Sequence, residues 1–257
     1  MFLLWHTHSS ALSQISHAPH VPNTTTFAGV SDIGRTRSRN EDSFALRPVG
    51  RIAVVADGMG GHPSGDVASR IAATRTADTL EARLGSGLKS QGGLVEIRAT
   101  MSQCVMSAHH AIRDACARGE DLEGMGTTLT AMAFDLDGKA YVLGHVGDSR
   151  AYRLRADVLD QLTPDGTWVQ ASVDANELTP EQAKRHPFGH ILTQCVGLAD
   201  PPTHTFMTEP WQSETSTCFA LTDSSACLKP KTSREFFVSS WAGRQIPKSS
   251  KLRPRCW

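Results

Sequence analysis

Val54-Val-Ala-Asp57-Gly-Met-Gly-Gly-His62-Pro-Ser-Gly-Asp66 is the stretch on which the fold turns. An apolar strand delivers Asp57 into a glycine-rich turn, and the turn opens a helix. Bare glycines let the Gly58 carbonyl and the neighbouring amides approach a metal ion or an anion closely. Most glycine-rich turns only reverse the chain. An aspartate leaving a buried strand directly into such a turn is a stronger sign of a site.

Outward from this stretch the pattern is strand-rich. Upstream, Phe27–Val30 and Ser43–Leu46 read as short strands, and Arg51–Ala56 is the strand that ends in Asp57. Downstream, Val67, Ile71, Ala77, Leu80 and Leu84 recur at helical spacing, so Asp66 to Leu84 is expected to be a helix stopped by Gly85. A second helix is expected from Leu94 to about Ala117, closed by Gly119. Three apolar runs follow, Thr127–Phe134, Ala140–Val146 and Arg150–Arg155, with a tight-turn pair Asp137-Gly138 between the first two. Thr167 to Arg185 reads as one or two short helices, and Thr203–Met207 and Thr217–Thr222 as further strands. Two strand blocks with two long helices inserted imply α+β layers and not an alternating βαβ chain.

Charge divides the chain unevenly. The 257 residues carry 26 Lys+Arg against 26 Asp+Glu. From Met1 to Leu228 there are 18 basic and 25 acidic residues, a balance of −7, whereas Lys229 to Trp257 holds 8 basic residues and one acid, a balance of +7. A neutral total excludes a general binder of nucleic acid or anionic membrane. No apolar run approaches the ~20 residues of a membrane span. With 39% hydrophobic and 20% charged residues the composition is that of a soluble globular protein. The six cysteines form no CxxC pair and read as reduced thiols, as expected of a cytoplasmic protein. Residues 1–26 show no sustained period and are expected to form a disordered leader; residues 229–257 are expected to form a basic irregular tail.

Three further stretches carry chemistry. Ser31-Asp-Ile-Gly-Arg-Thr-Arg-Ser-Arg-Asn-Glu-Asp-Ser-Phe44 sets Arg35, Arg37 and Arg39 just before the acid pair Glu41-Asp42. Arginine suits bidentate phosphate binding and adjacent carboxylates suit a hard divalent cation, although the same residues also fit a solvated charged loop. Gly144-His-Val-Gly147-Asp148-Ser-Arg150 and Phe219-Ala-Leu-Thr222-Asp223-Ser224 each place another acid at the end of an apolar run. Acids at several strand ends, without a matching His/Cys set, point to oxygen-ligated Mg²⁺ or Mn²⁺ and not to zinc.

Ser31–Phe44, Val54–Ser69, Met125–Met132 and Gly144–Arg155, in this order and spacing, resemble the bacterial metal-dependent protein phosphatases of the PPM/PP2C family. The resemblance runs from about Phe27 to Asp223, so a phosphatase domain is expected over 27–228. It implies a β-sandwich of two antiparallel sheets flanked by helices, with two Mn²⁺ or Mg²⁺ ions held between the sheets. By resemblance, Asp57 bridges both metals, the Gly58 carbonyl completes one shell, and Glu41 and Asp42 are early acidic ligands. Arg37 then holds the substrate phosphate, Asp148 helps bind a third, weaker metal, and Asp223 is a further ligand. The implied reaction is hydrolysis of phosphoserine or phosphothreonine in proteins by a metal-activated water, opposing a cognate Ser/Thr kinase. The implied enzyme is a monomer with no nucleic-acid or membrane partner. His62 is the nearest histidine to serve as general acid.

The chain also departs from the family pattern. Thr222-Asp223-Ser224 stands where Ser-Asp-Gly is usual, Gly166 stands where a histidine is expected, and no aspartate follows Asp223. The family's late Asp-Asn motif and the last strands are therefore expected to be missing, as after a frameshift or early end near Leu228. Losing a metal carboxylate also supports a second reading, an impaired phosphatase-like module that binds phosphoprotein through Arg37. A third reading, a polyanion binder acting through the basic tail, rests on charge alone.

Overall fold

The computed structural model describes residues 2–8, 24–31, 33, 38–47, 51–59, 64–84, 93–119, 122–135, 139–155, 158–211 and 216–220. Two antiparallel sheets and two long helices organise them. The strands are β1 (Phe2–His8), β2 (Thr24–Val30), β3 (Asp42–Arg47), β4 (Ile52–Met59), β5 (Gly126–Thr127), β6 (Leu129–Phe134), β7 (Ala140–Val146), β8 (Arg150–Arg155), β9 (Val158–Gln161), β10 (Thr205–Pro210) and β11 (Ser216–Ala220). The helices are α1 (Gly65–Leu84), α2 (Gly93–Cys116), α3 (Trp168–Asp174) and α4 (Pro180–Ala183). One sheet has the order β2-β1-β11-β8-β9 and the other β10-β7-β6-β4-β3, with β5 paired to β4 off the main path.

Period-two alternation along β4 decides which layer each side chain enters. Ile52, Val54 and Ala56 face the helices and join Ala68, Ala72, Leu80, Met101 and Ile112 in one buried cluster. Ala53 and Val55 face the other sheet and pack with Met132, Phe134, Tyr141, Leu143, Ala151 and Trp211. The same division holds on β6, where Leu129, Ala131 and Ala133 face the helices while Met132 and Phe134 face the sheet. Because both faces are covered, β4 as far as Ala56 and β6 apart from Thr130 are apolar instead of alternating with polar residues. The inter-sheet cluster is closed by Trp211, whose ring meets Phe134 edge-on at 5.1 Å and Tyr141 at 6.0 Å.

Helix α1 buries alanines at Ala68, Ala72, Ala73 and Ala77, which let it lie close on the sheet. Asp66 in its first turn and Arg83 in its last complement the helix dipole. Thr179 starts α4 with a full capping box, in which its side chain accepts from the Gln182 amide and Gln182 reaches back to the Thr179 amide. No helix among the described residues is long and apolar enough to cross a membrane.

The α+β sandwich read from the sequence is the observed architecture, and the strands and long helices agree to within a few residues. Two elements differ from expectation. Phe2–His8, within the segment expected to be a disordered leader, is a strand paired with β2 from Phe2↔Val30 to His8↔Thr24 and with β11 from Phe2↔Ala220 to His6↔Ser216. Its four-residue apolar start carries no period, and its partners lie far away in the chain, so only tertiary pairing reveals it. The second difference is β9, which pairs with β8 from Tyr152↔Gln161 to Arg155↔Val158 and shows little hydrophobic patterning. The Asp137-Gly138 turn, the expected missing last strands and the basic tail lie outside the described residues.

Candidate active site

Asp57 continues the row of Ala53 and Val55 along β4, so its carboxylate stands at the end of the inter-sheet face. Asp42 is its direct partner across the β3–β4 ladder and therefore lies on the same face. The amide of Asp42 donates to Asn40 Oδ1 at 3.1 Å, fixing the entry into β3. Glu41, one residue earlier, accepts the Gly58 amide on its carbonyl oxygen at 3.0 Å.

Where β4 meets α1, glycine is required at Gly58 and fits closely at Gly65. A Cβ on Gly58 would lie 2.0 Å from the Gly65 carbonyl oxygen and 2.7 Å from that of Glu41. A Cβ on Gly65 would lie 3.1 Å from Glu41 Oε1. The end of β4 and the start of α1 thus touch backbone to backbone, with the Glu41 carboxylate set against the first residue of α1. That position is favourable for an anion near a helix N-terminus.

The second acidic turn is Gly147-Asp148-Ser149. Gly147 has φ of +99°, and a Cβ there would lie 2.6 Å from Thr128 Cγ2, so shape and conformation both demand glycine. Gly166, where the family pattern led us to expect histidine, is pressed against this turn. Its amide donates to the Gly147 carbonyl at 2.8 Å, and a Cβ on it would lie 2.5 Å from that oxygen. Beside it, Arg150 holds Asp165 through both carboxylate oxygens, with Nε–Oδ1 at 2.6 Å. The paired Asp165 carboxylate keeps the Arg150 guanidinium charged, raising its pKa above the ordinary arginine value.

His145 anchors the same loop from below. Its Nε2 donates to the Pro164 carbonyl at 3.0 Å, which leaves Nδ1 to accept from the Thr130 hydroxyl at 2.8 Å. Burial pushes its pKa below the ordinary 6.5. The folded protein therefore takes up less proton there than the unfolded chain does. Its contribution to stability is complete above about pH 6.5 and is lost as pH falls below that value toward the lowered folded pKa. Urea midpoints measured from pH 7.5 to 5 are expected to fall less steeply for His145→Gln than for the wild-type protein.

Five residues expected at the site have described positions: Glu41, Asp42, Asp57, Gly58 and Asp148. The first four adjoin at the β3–β4–α1 corner, and Asp148 reaches them through Thr128 and Ser149. Arg37, His62 and Asp223 lie outside the described residues. Among the described residues no group of three or more His, Cys, Asp or Glu is placed to hold a metal ion. The donor chemistry at the corner nevertheless fits one. Carboxylates and a backbone carbonyl are the hard oxygen ligands that Mg²⁺ and Mn²⁺ favour, and facing carboxylates repel unless a cation offsets them. Neither Cys104 nor Cys195 fits a thiolate nucleophile, because burial pushes both thiols up to about 11.

Sequence reasoning missed Thr127, Thr128 and Ser149 as site components. Thr127 Oγ1 donates to the Asp57 carbonyl at 2.9 Å, and Thr128 Oγ1 accepts the Asp57 amide at 2.9 Å. The only signal in the sequence is a pair of hydroxyl residues preceding an apolar strand.

The chain resembles known proteins in sequence and in fold. A family model described as Protein phosphatase 2C matches residues 29–187. The chain is 40% identical over 170 residues to the serine/threonine protein phosphatase PstP of Mycobacterium tuberculosis (strain CDC 1551 / Oshkosh), covering 66% of this chain and 30% of that protein. It therefore spans only about a third of the length of that relative. The crystal structure of the M. tuberculosis phosphatase PstP/Ppp is similar with a TM-score of 0.62 at 31% identity, covering 84% of this chain and 76% of that one. The catalytic domain of PstP in complex with two manganese ions is similar with a TM-score of 0.57 at 31% identity, over the same 84% and 76%. With more than half of its length matched and its sandwich shared, the chain belongs to the protein phosphatase 2C family.

Proposed function

We propose that this chain hydrolyses phosphoserine and phosphothreonine in protein substrates, as a cytoplasmic monomer that opposes a Ser/Thr kinase. The observation that carries the proposal is the Asp42–Asp57 carboxylate pair, opposed across β3 and β4 at the end of the inter-sheet face. The 2C family is metal-dependent, and Mn²⁺ or Mg²⁺ is the cofactor assigned here. Glu41, Asp42, Asp57 and the Gly58 carbonyl would hold it, with Asp148 near a third, weaker site. When bound, the ions supply Lewis acidity toward the phosphoryl oxygens and a nucleophile at neutral pH.

The chain's own residues orient and exclude. The Thr127 and Thr128 hydroxyls fix the Asp57 backbone, and the Gly58–Gly65 contact fixes the turn. Arg37 is assigned to the substrate phosphate, and His62 to protonation of the leaving alkoxide. Asp223 is a further proposed ligand. His145 is not a candidate acid, since both of its nitrogens are engaged within a buried site.

A second reading is kept because Thr222-Asp223-Ser224 departs from the Ser-Asp-Gly of the family pattern. In that reading the chain binds phosphoprotein without turnover. Hydrolysis of p-nitrophenyl phosphate with Mn²⁺, with and without EDTA, separates the two. Turnover abolished by EDTA and restored by added Mn²⁺ is expected. No turnover, with phosphopeptide binding retained, would establish the binding module instead.

A further inference from the structure

The two acidic turns of the site come from different parts of the chain, and one buried hydroxyl contact joins them. Thr128 Oγ1 lies 2.6 Å from Ser149 Oγ, with Thr128 2% and Ser149 0% exposed. Thr128 is also clasped to Asp57, since its hydroxyl accepts the Asp57 amide and its own amide donates to the Asp57 carbonyl, both at 2.9 Å. Its methyl fills the space that a side chain on Gly147 would need. The hydroxyl, amide and methyl of this small residue therefore each touch one turn or the other.

The link continues beyond Ser149. Thr163 Oγ1 donates to the Ser149 carbonyl at 3.2 Å and accepts the Ala151 amide at 3.0 Å. Gly166 and His145 then tie the 163–166 segment to the same turn. A shift of Asp57 consequently cannot occur without disturbing Ser149, and through it the position of Asp148.

We propose that Thr128, through its hydroxyl contact with Ser149, is a positioning residue that holds the Asp57 and Asp148 turns in one fixed relation. The two acids then meet metal ions as a preorganised unit. This rests on the proposed function only for its consequence in catalysis; the mechanical coupling stands on the hydrogen bonds alone. A ligand held by such partners typically loses 10–100-fold in metal affinity when the partner is removed.

The test uses the full chain and four variants: Thr128→Val, which keeps the shape without the hydroxyl, Thr128→Ser, Ser149→Ala, and the Thr128→Val/Ser149→Ala pair. Two readouts are taken, amide hydrogen exchange at residues 57 and 147–150 without metal, and Mn²⁺ affinity by calorimetry. Thr128→Val is expected to speed exchange in both turns by about tenfold. Its Mn²⁺ affinity should fall by at least about tenfold. Thr128→Ser should restore both to within about twofold, and the double variant should be little worse than Thr128→Val alone, as for coupled sites.

Exchange that accelerates only at residue 57, wild-type Mn²⁺ affinity in Thr128→Val, or additive effects in the double variant would each overturn the link. Should Thr128→Val not fold, Ser149→Ala carries the same comparison from the other turn. Exchange coupling in a wild-type protein that lacks turnover would leave the link standing and remove the phosphatase reading. Turnover without exchange coupling would do the reverse.

Discussion

Asp57→Asn is expected to cut Mn²⁺-dependent hydrolysis of p-nitrophenyl phosphate by more than about a hundredfold, beyond what loss of an outer partner of a metal ligand costs. The side chain keeps its size, so the packing of β4 should survive. What changes is charge: one of two carboxylates that face each other across β3 and β4 becomes a neutral amide. Directly opposed like charges destabilise a sheet by a fraction of a kcal/mol, roughly 0.2–1 kcal/mol. Without metal, Asp57→Asn should therefore unfold at no lower urea concentration than the wild-type protein. Loss of turnover together with undiminished metal-free stability is the signature of a carboxylate kept for cation binding. Wild-type turnover in this variant would remove Asp57 from the site. A large loss of metal-free stability would instead make Asp57 a structural residue.

Gly58→Ala is expected to be the most damaging Gly→Ala change among the described residues. The added Cβ would fall 2.0 Å from the Gly65 carbonyl oxygen and 2.7 Å from that of Glu41, both backbone atoms that cannot rotate away. Relief requires α1 to retreat from β4, which breaks the burial of Ala68, Ala72 and Ala73 against the sheet. Overpacking of this kind costs about 1–3 kcal/mol and sometimes more; contact with rigid backbone on two sides places this case at or above the upper end. Denaturant midpoints with and without Mn²⁺ measure it. The expected result is a large loss of stability accompanied by loss of metal response, because the Gly58 carbonyl and Glu41 move with the turn. Near wild-type behaviour in both measurements would mean that the β4–α1 contact is looser than the distances indicate.

The legible parts of this molecule are those where a local pattern has a local cause. The strand into Asp57, the two long helices and the β6–β7–β8 block announce themselves by period, since each buries one face or both. Glu41, Asp42, Asp57 and Asp148 stand out because acids at the ends of apolar strands are costly without a purpose. The bareness of Gly58 was legible as well, but its use was only half read. It was expected to open access for a ligand, and it also lets the backbone of α1 touch the backbone of β4.

Other features leave no local trace. Phe2–His8 is too short and too aperiodic to read as a strand, and it becomes one through hydrogen-bonded partners on both edges. Gly166 departs from the family pattern, and its reason lies at Gly147, 19 residues earlier, against which it packs. Thr128 and Ser149 look like unremarkable hydroxyl residues until the fold places them 2.6 Å apart.

By itself the sequence determined the strand blocks, the two long helices and the acids at strand ends, because strand period and glycine placement are properties of neighbouring residues. The resemblance of its motifs to the 2C family implied the sandwich. Tertiary structure alone decided that Asp42 faces Asp57, that Gly58 meets Gly65, and that Thr128 joins two acidic turns. Those are contacts between distant segments, and their distances follow from register and layer packing, which no stretch of chain contains within itself.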